Sequence, residues 1–154
     1  LSIEQGVTET RSLAGDGEGR GTLATLKGDE IITPGSSIKD DVRAARMWFN
    51  EHLKPLTVRS AALGRDVKFT SSGRDKSTSL AGDRRKLAIL PALPELIREG
   101  RLERSELSAD PMNTALKAVH RLDGEVLLGG QTLIAHIVIR ETTGGLFHYD
   151  HYIV

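Results

Sequence analysis

Four of the five histidines, His120, His136, His148 and His151, lie in the last third of the chain, interleaved with Arg121, Arg140 and Tyr149. Imidazole titrates near neutrality, with an ordinary pKa of about 6.5, so it takes or gives a proton under mild conditions. Metal-independent RNA cleavage needs a base for the 2′-hydroxyl proton, an acid for the leaving 5′-oxygen, and cations or hydrogen-bond donors on the phosphate. On this reading His120 or His148 is the base or acid. Lys76 and Arg140 neutralise the phosphate, and Tyr149 or Ser72 donates a hydrogen bond. Arg74, Arg121 and His151 extend the set that would hold substrate. His136 is flanked by apolar residues and reads as a surface or hydrogen-bonded strand histidine.

Other chemistries find less support. The glycines between residues 15 and 35 are not followed by Gly-Lys-Ser/Thr, so no phosphate loop forms there. Gly-x-Ser-x-Gly, His-Glu-x-x-His and any cysteine nucleophile are absent. His148-Tyr149-Asp150-His151 has the look of a metal motif. In a regular strand, however, His148, Asp150 and Tyr152 share one face while Phe147, Tyr149, His151 and Ile153 share the other, so the two histidines would not meet one ion. No metal or cofactor is expected.

These residues need a sheet, and the tail supplies one. Ala118 to Leu128, Thr132 to Glu141 and Leu146 to Val154 are β-prone runs separated by Gly129-Gly130 and Thr143-Gly144-Gly145, the pattern of an antiparallel meander. The middle run sorts Leu133, Ala135, Ile137 and Ile139 to one face and Ile134, His136, Val138 and Arg140 to the other. A competing reading starts a helix at Asp110-Pro111 and runs it over 112–121.

Upstream, Ile38, Val42, Ala45, Trp48, Phe49 and Leu53 recur at helical spacing, predicting a helix over 38–54 capped by Ser36 or Ser37 and stopped by Pro55. Its Trp and Phe read as core. Thr57-Val58-Arg59 and Val67-Lys68-Phe69-Thr70 are short strands, and Ser71 to Thr78 is a polar loop. Two helical pieces follow between Asp83 and Gly100, divided by Pro91 and Pro94. The class is therefore α+β, with N-terminal helices packed on a C-terminal antiparallel β-meander.

Residues 1–36, rich in glycine and poor in apolar side chains, read as a flexible arm or linker, with a possible edge strand near Gly28 to Pro34; residues 37–154 form the domain. The 21 Lys and Arg balance 21 Asp and Glu, so any pull on nucleic acid must come from a local patch. No apolar run is long enough to span a bilayer. The absence of an initiating methionine suggests a piece of a larger polypeptide, and localisation is not legible.

The run Val67-Lys68-Phe69-Thr70-Ser71-Ser72-Gly73-Arg74-Asp75-Lys76, followed by Asp83-Arg84-Arg85-Lys86-Leu87-Ala88-Ile89-Leu90-Pro91-Ala92-Leu93-Pro94-Glu95-Leu96-Ile97, resembles phage and mobile-element domains of the barnase/EndoU/colicin/RelE-like nuclease group, including those attached to large polyvalent proteins. The similarity spans residues 40–154. It implies helices followed by a sheet with a late tyrosine, as Tyr149 is here, and metal-independent RNase activity on RNA, tRNA included. It also implies a toxin or delivered effector acting in the bacterial cytoplasm, with a cognate inhibitor protein as a partner. The alternative reading is a phage or mobile-element interaction module that keeps the fold without catalysis.

Overall fold

A computed structural model describes residues 21–79, 83–109 and 111–154. Helix α1 (Ile38–His52) begins where the Ser37 side chain accepts the Asp40 N–H, and Asp40 and Asp41 complement the positive end of its dipole. It ends just before Pro55. Its apolar stripe buries Ala45, Phe49 and Leu53, with Trp48 half-buried against the same core.

The hairpin β2 (Thr57–Ser60) and β3 (Arg65–Lys68) comes next. The stretch expected as a polar loop is instead helix α2 (Ser71–Ser77), capped by the Thr70 hydroxyl accepting the Gly73 N–H. Gly73 hides this helix from a propensity reading, because mid-helix glycine costs about 1 kcal/mol. Contact explains its presence: a Cβ there would lie 2.4 Å from the His148 carbonyl oxygen. Helices α3 (Arg85–Ala88) and α4 (Leu93–Glu99) flank a 3-10 turn at Leu90–Ala92, so the two helical pieces divided by prolines are present.

Strands β4 (Arg101–Leu107), β5 (Leu116–Leu128), β6 (Gln131–Thr142) and β7 (Gly145–Ile153) complete the chain. The last three form the expected antiparallel meander. The helix proposed over 112–121 does not form: β5 already runs from Leu116, and Asp110 lies outside the described residues. Within the stretch read as an arm, β1 (Thr22–Leu26) pairs in parallel with β5, and Leu23, Ala24 and Leu26 pack on the core. The segment near Gly28 to Pro34 is turn and bend rather than strand. Residues 1–20 lie outside the described set.

The seven strands make one mixed sheet in the order β1-β5-β6-β7-β3-β2, with β4 alongside β5. One face carries Leu122, Val126, Leu133, Ala135, Ile137 and Ile139 against the helices and is fully buried. The other face carries Arg121, Asp123, His136 and Arg140, all only half-buried. This α+β arrangement of helices on one side of a meander is the class expected from the sequence.

Candidate functional site

Two bulges decide what the open face presents. Between β4 and β5 the pairing shifts from Leu102–Leu122 to Arg104–Arg121, leaving Glu103 as an extra residue. Between β6 and β7 it shifts from Val138–Asp150 to Ile139–His148, leaving Tyr149 extra. A bulge breaks strict alternation and re-aims side chains.

The second bulge overturns the expectation that alternation divides His148 from His151. Both point into the helix-side core and are at most 1% exposed. Both meet the buried Ser77 hydroxyl, His148 through Nε2 and His151 through Nδ1, each at 3.1 Å. His151 Nε2 lies 2.7 Å from the Lys86 carbonyl oxygen, which only accepts, so Nε2 carries the proton. Nδ1 of neutral His151 then accepts from Ser77, and Ser77 accepts from His148 Nε2. Burial pushes His148 well below the ordinary histidine pKa, and the nearby His151 and Lys86 push it the same way. Burial likewise lowers His151 to about 4. The geometry is that of a neutral internal tether joining β7 to α2 and α3.

His120 lies on the helix-side face at the far end of the sheet, opposite in direction to Arg121. Its Nδ1 is 2.7 Å from Ser105 Oγ and its Nε2 is 2.8 Å from Glu141 Oε1. Arg65 holds the other Glu141 oxygen at 2.8 Å. The Arg65 hydrogen bond, then that of His120, holds the Glu141 carboxyl below the usual range.

The open face gathers most of the expected cations. Arg140 stacks over the Tyr149 ring, 3.7 Å from its centroid, and the Lys76 ammonium lies 5.9 Å from the same ring. A cleft of about 310 Å³ is lined by Thr70, Ser72, Arg140 and Tyr149 among others. A second, of about 410 Å³, shares Ser72 and Tyr149 with it and adds Lys76. Ser72, Lys76, Arg140 and Tyr149 therefore converge. Arg121 sits one strand over, directly opposite Arg104, with Glu106 at 3.9 Å. Arg74 turns away: it binds Asn50 of α1 at 2.8 Å and its neighbour Asp75, tying α2 to α1.

Further along the same face, His136 Nδ1 lies 3.0 Å from Glu103 Oε1. The imidazole stacks on Tyr152 with centroids 4.7 Å apart and planes 8° from parallel. Asp123, its direct partner across the strands, is clamped by Arg101 at 3.1 and 2.8 Å. The Nδ1 proton donated to Glu103 leaves Nε2 of neutral His136 as the nitrogen with the lone pair. Glu103 and Tyr152 were not foreseen. Glu103 is on β4, which has only Leu102 and Leu107 as apolar residues and gives no strand signal; Tyr152 was recognised on a strand but assigned the face of His148.

The fold and this face define an α+β domain with a helix-backed sheet whose free side is polar and rich in arginine. The family model of large polyvalent protein-associated domain 3 matches residues 36–149. The chain belongs to that family, which supports its place among phage and mobile-element associated domains and fits a part of a larger polypeptide. No curated protein and no solved structure matches the chain significantly. Among the described residues, no helix is long and apolar enough to cross a membrane.

Proposed function

We propose that the open face binds RNA and cleaves it without a metal, as an effector module of a large polyvalent protein. The observation that carries this reading is a hydrogen-bonded Glu103–His136 pair on a sheet face that also holds Arg104, Arg121 and Arg140. Like charges directly opposite on neighbouring strands, as Arg104 and Arg121 are, destabilise a sheet, and an anion between them relieves the repulsion. The likeness of residues 67–97 to the barnase/EndoU/colicin/RelE-like nucleases points the same way.

In this mechanism His136 Nε2 takes the 2′-hydroxyl proton while Glu103 holds Nδ1–H and stabilises the imidazolium. The 2′-oxygen attacks phosphorus, the 5′-oxygen leaves and is protonated by water, and a 2′,3′-cyclic phosphate remains. Arg121 and Arg104 carry the charge that builds on the phosphate. Successive residues on one strand face are about 6.6 Å apart, so Arg140 and Tyr149 lie roughly two such steps from His136. That distance, about 13 Å, suits a nucleotide further along the strand and not the adjacent one, its base on Tyr149 and its phosphate on Arg140, Lys76 and Ser72. His120 and His148, expected as acid and base, hold structural positions in this reading, and His151 joins them.

Incubating the chain with total bacterial RNA in EDTA tests the proposal. Cyclic-phosphate ends are expected, with cleavage falling by about 10²–10⁴-fold in His136→Gln and Glu103→Gln. Intact RNA at high protein concentration would sink it. A balanced net charge and the almost fully exposed Leu107 and Met112 favour a second reading, a protein-interaction module. Co-purification with a protein partner, together with intact RNA and no salt-sensitive retention, would favour that reading.

A further inference from the structure

Glu103, Asp123 and His136 stand on three adjacent strands with one donor atom from each within 4.8 Å of the others. Their side chains are 35%, 12% and 14% exposed, so the cluster is shielded yet reachable. The imidazole plane is fixed by Tyr152, and Glu103 meets its Nδ1 at 3.0 Å. Donors on strands hold a geometry better than donors on loops. Two carboxylates and one imidazole suit a first-row divalent ion, whereas Mg²⁺ and Ca²⁺ favour all-oxygen sites. Metal–ligand bonds of about 2.0–2.2 Å put tetrahedral donors roughly 3.3–3.6 Å apart, so shifts on the order of 1 Å close this set. Arg101 is the resident cation on Asp123, and its side chain is more than half exposed.

We propose that Glu103, Asp123 and His136 bind a divalent transition ion of the Zn²⁺ kind, in competition with the Arg101 guanidinium. The ion takes an imidazole lone pair and the Glu103 carboxylate, the groups that the cleavage mechanism uses. Occupancy therefore switches cleavage off; this consequence rests on the RNase reading, whereas the binding does not.

Calorimetric titration of the EDTA-stripped, tag-free chain with ZnCl₂ at neutral pH tests the site. One ion per chain is expected, with affinity roughly tenfold or more weaker in Glu103→Gln, Asp123→Asn and His136→Gln. Arg101→Ala is expected to bind more tightly, a gain that misfolding does not produce. His52→Ala, on exposed His52 of α1, is expected to bind as the parent does. No saturable binding, binding that survives all three ligand variants, or binding lost in His52→Ala overturns the site. In the RNA assay, Zn²⁺ is expected to stop cleavage that proceeds in EDTA; unimpaired cleavage with Zn²⁺ bound overturns the switch. Cleavage that requires Zn²⁺ overturns both the switch and the metal-free mechanism but leaves the binding site standing. RNA intact under every condition removes the RNase reading, and the titration still decides the site.

Discussion

At Ser77 one hydroxyl accepts from one buried imidazole and donates to the other, and burial keeps both neutral. In the unfolded chain both histidines return to about 6.5, so below that pH the unfolded state binds more protons than the fold. Stability is therefore full above pH 6.5 and is lost as pH falls toward the folded value, which for His151 is about 4. His151 alone accounts for roughly 3 kcal/mol across that window. Denaturant melts at pH 7, 5.5 and 4 check this, and a flat profile would refute the tether. Gly73 is the matching contact on α2. Gly73→Ala is expected to cost at least about 1–3 kcal/mol, because the new methyl collides with the rigid His148 carbonyl oxygen and also with the buried His148 ring, which has no room to turn aside.

Among the elements, two strands carry the open face through their irregularities. Regular alternation would turn Arg104 away from the face of Glu103 and Asp150 away from that of Tyr149; the bulges let Arg104 oppose Arg121 beside the Glu103–His136 pair, and Asp150 oppose Val138 beside the Tyr149 that lies under Arg140. Helix placement rests on different contacts. Asp41 of α1 is buried, and the Arg84 guanidinium just before α3 reaches its Oδ2 at 2.7 Å. Arg84→Ala leaves that carboxylate buried without its cation. A loss of about 2–3 kcal/mol is expected in denaturant melts, less than for a fully buried pair because Arg84 is partly exposed. An unchanged midpoint would show that α1 is held by its apolar stripe alone.

Over the whole molecule, 21 positive and 21 negative side chains leave no net field to draw a polyanion in. Any RNA affinity must arise from the arginines that the sheet collects on one side. Filter retention of single-stranded RNA against salt is expected to give a linear log–log plot, its slope falling by about 0.7 for each phosphate contact removed by Arg121→Ala or Arg140→Ala. Arg74→Ala, on the α1 side, is expected to leave that slope as it is. Equal slopes in all three variants would place the RNA contacts elsewhere.

The sequence by itself determined the order of helices and then strands, because both periodicities are written locally: Ala45, Phe49 and Leu53 repeat every four residues, and the runs of β5 to β7 alternate around glycine turns. It also determined that His136 and Arg140 share a face, since β6 is regular from His136 to Arg140 on its edge with β5. The tertiary structure alone decided which imidazoles are reachable. His148 and His151 are sealed by α2 and α3, elements distant in sequence, and the bulge that turns both inward has no local signature. It also decided that Thr22–Leu26 and Arg101–Leu107 are strands, because both pair with β5, distant in sequence, and the apolar residues of Thr22–Leu26 find their core only in that pairing. The basic, histidine-bearing sheet is legible in the chain; burial removes His148 and His151, and the choice of His136 over the equally exposed His120 comes from pairing across the fold, which sets His136 on the face that carries Arg121 and Arg140.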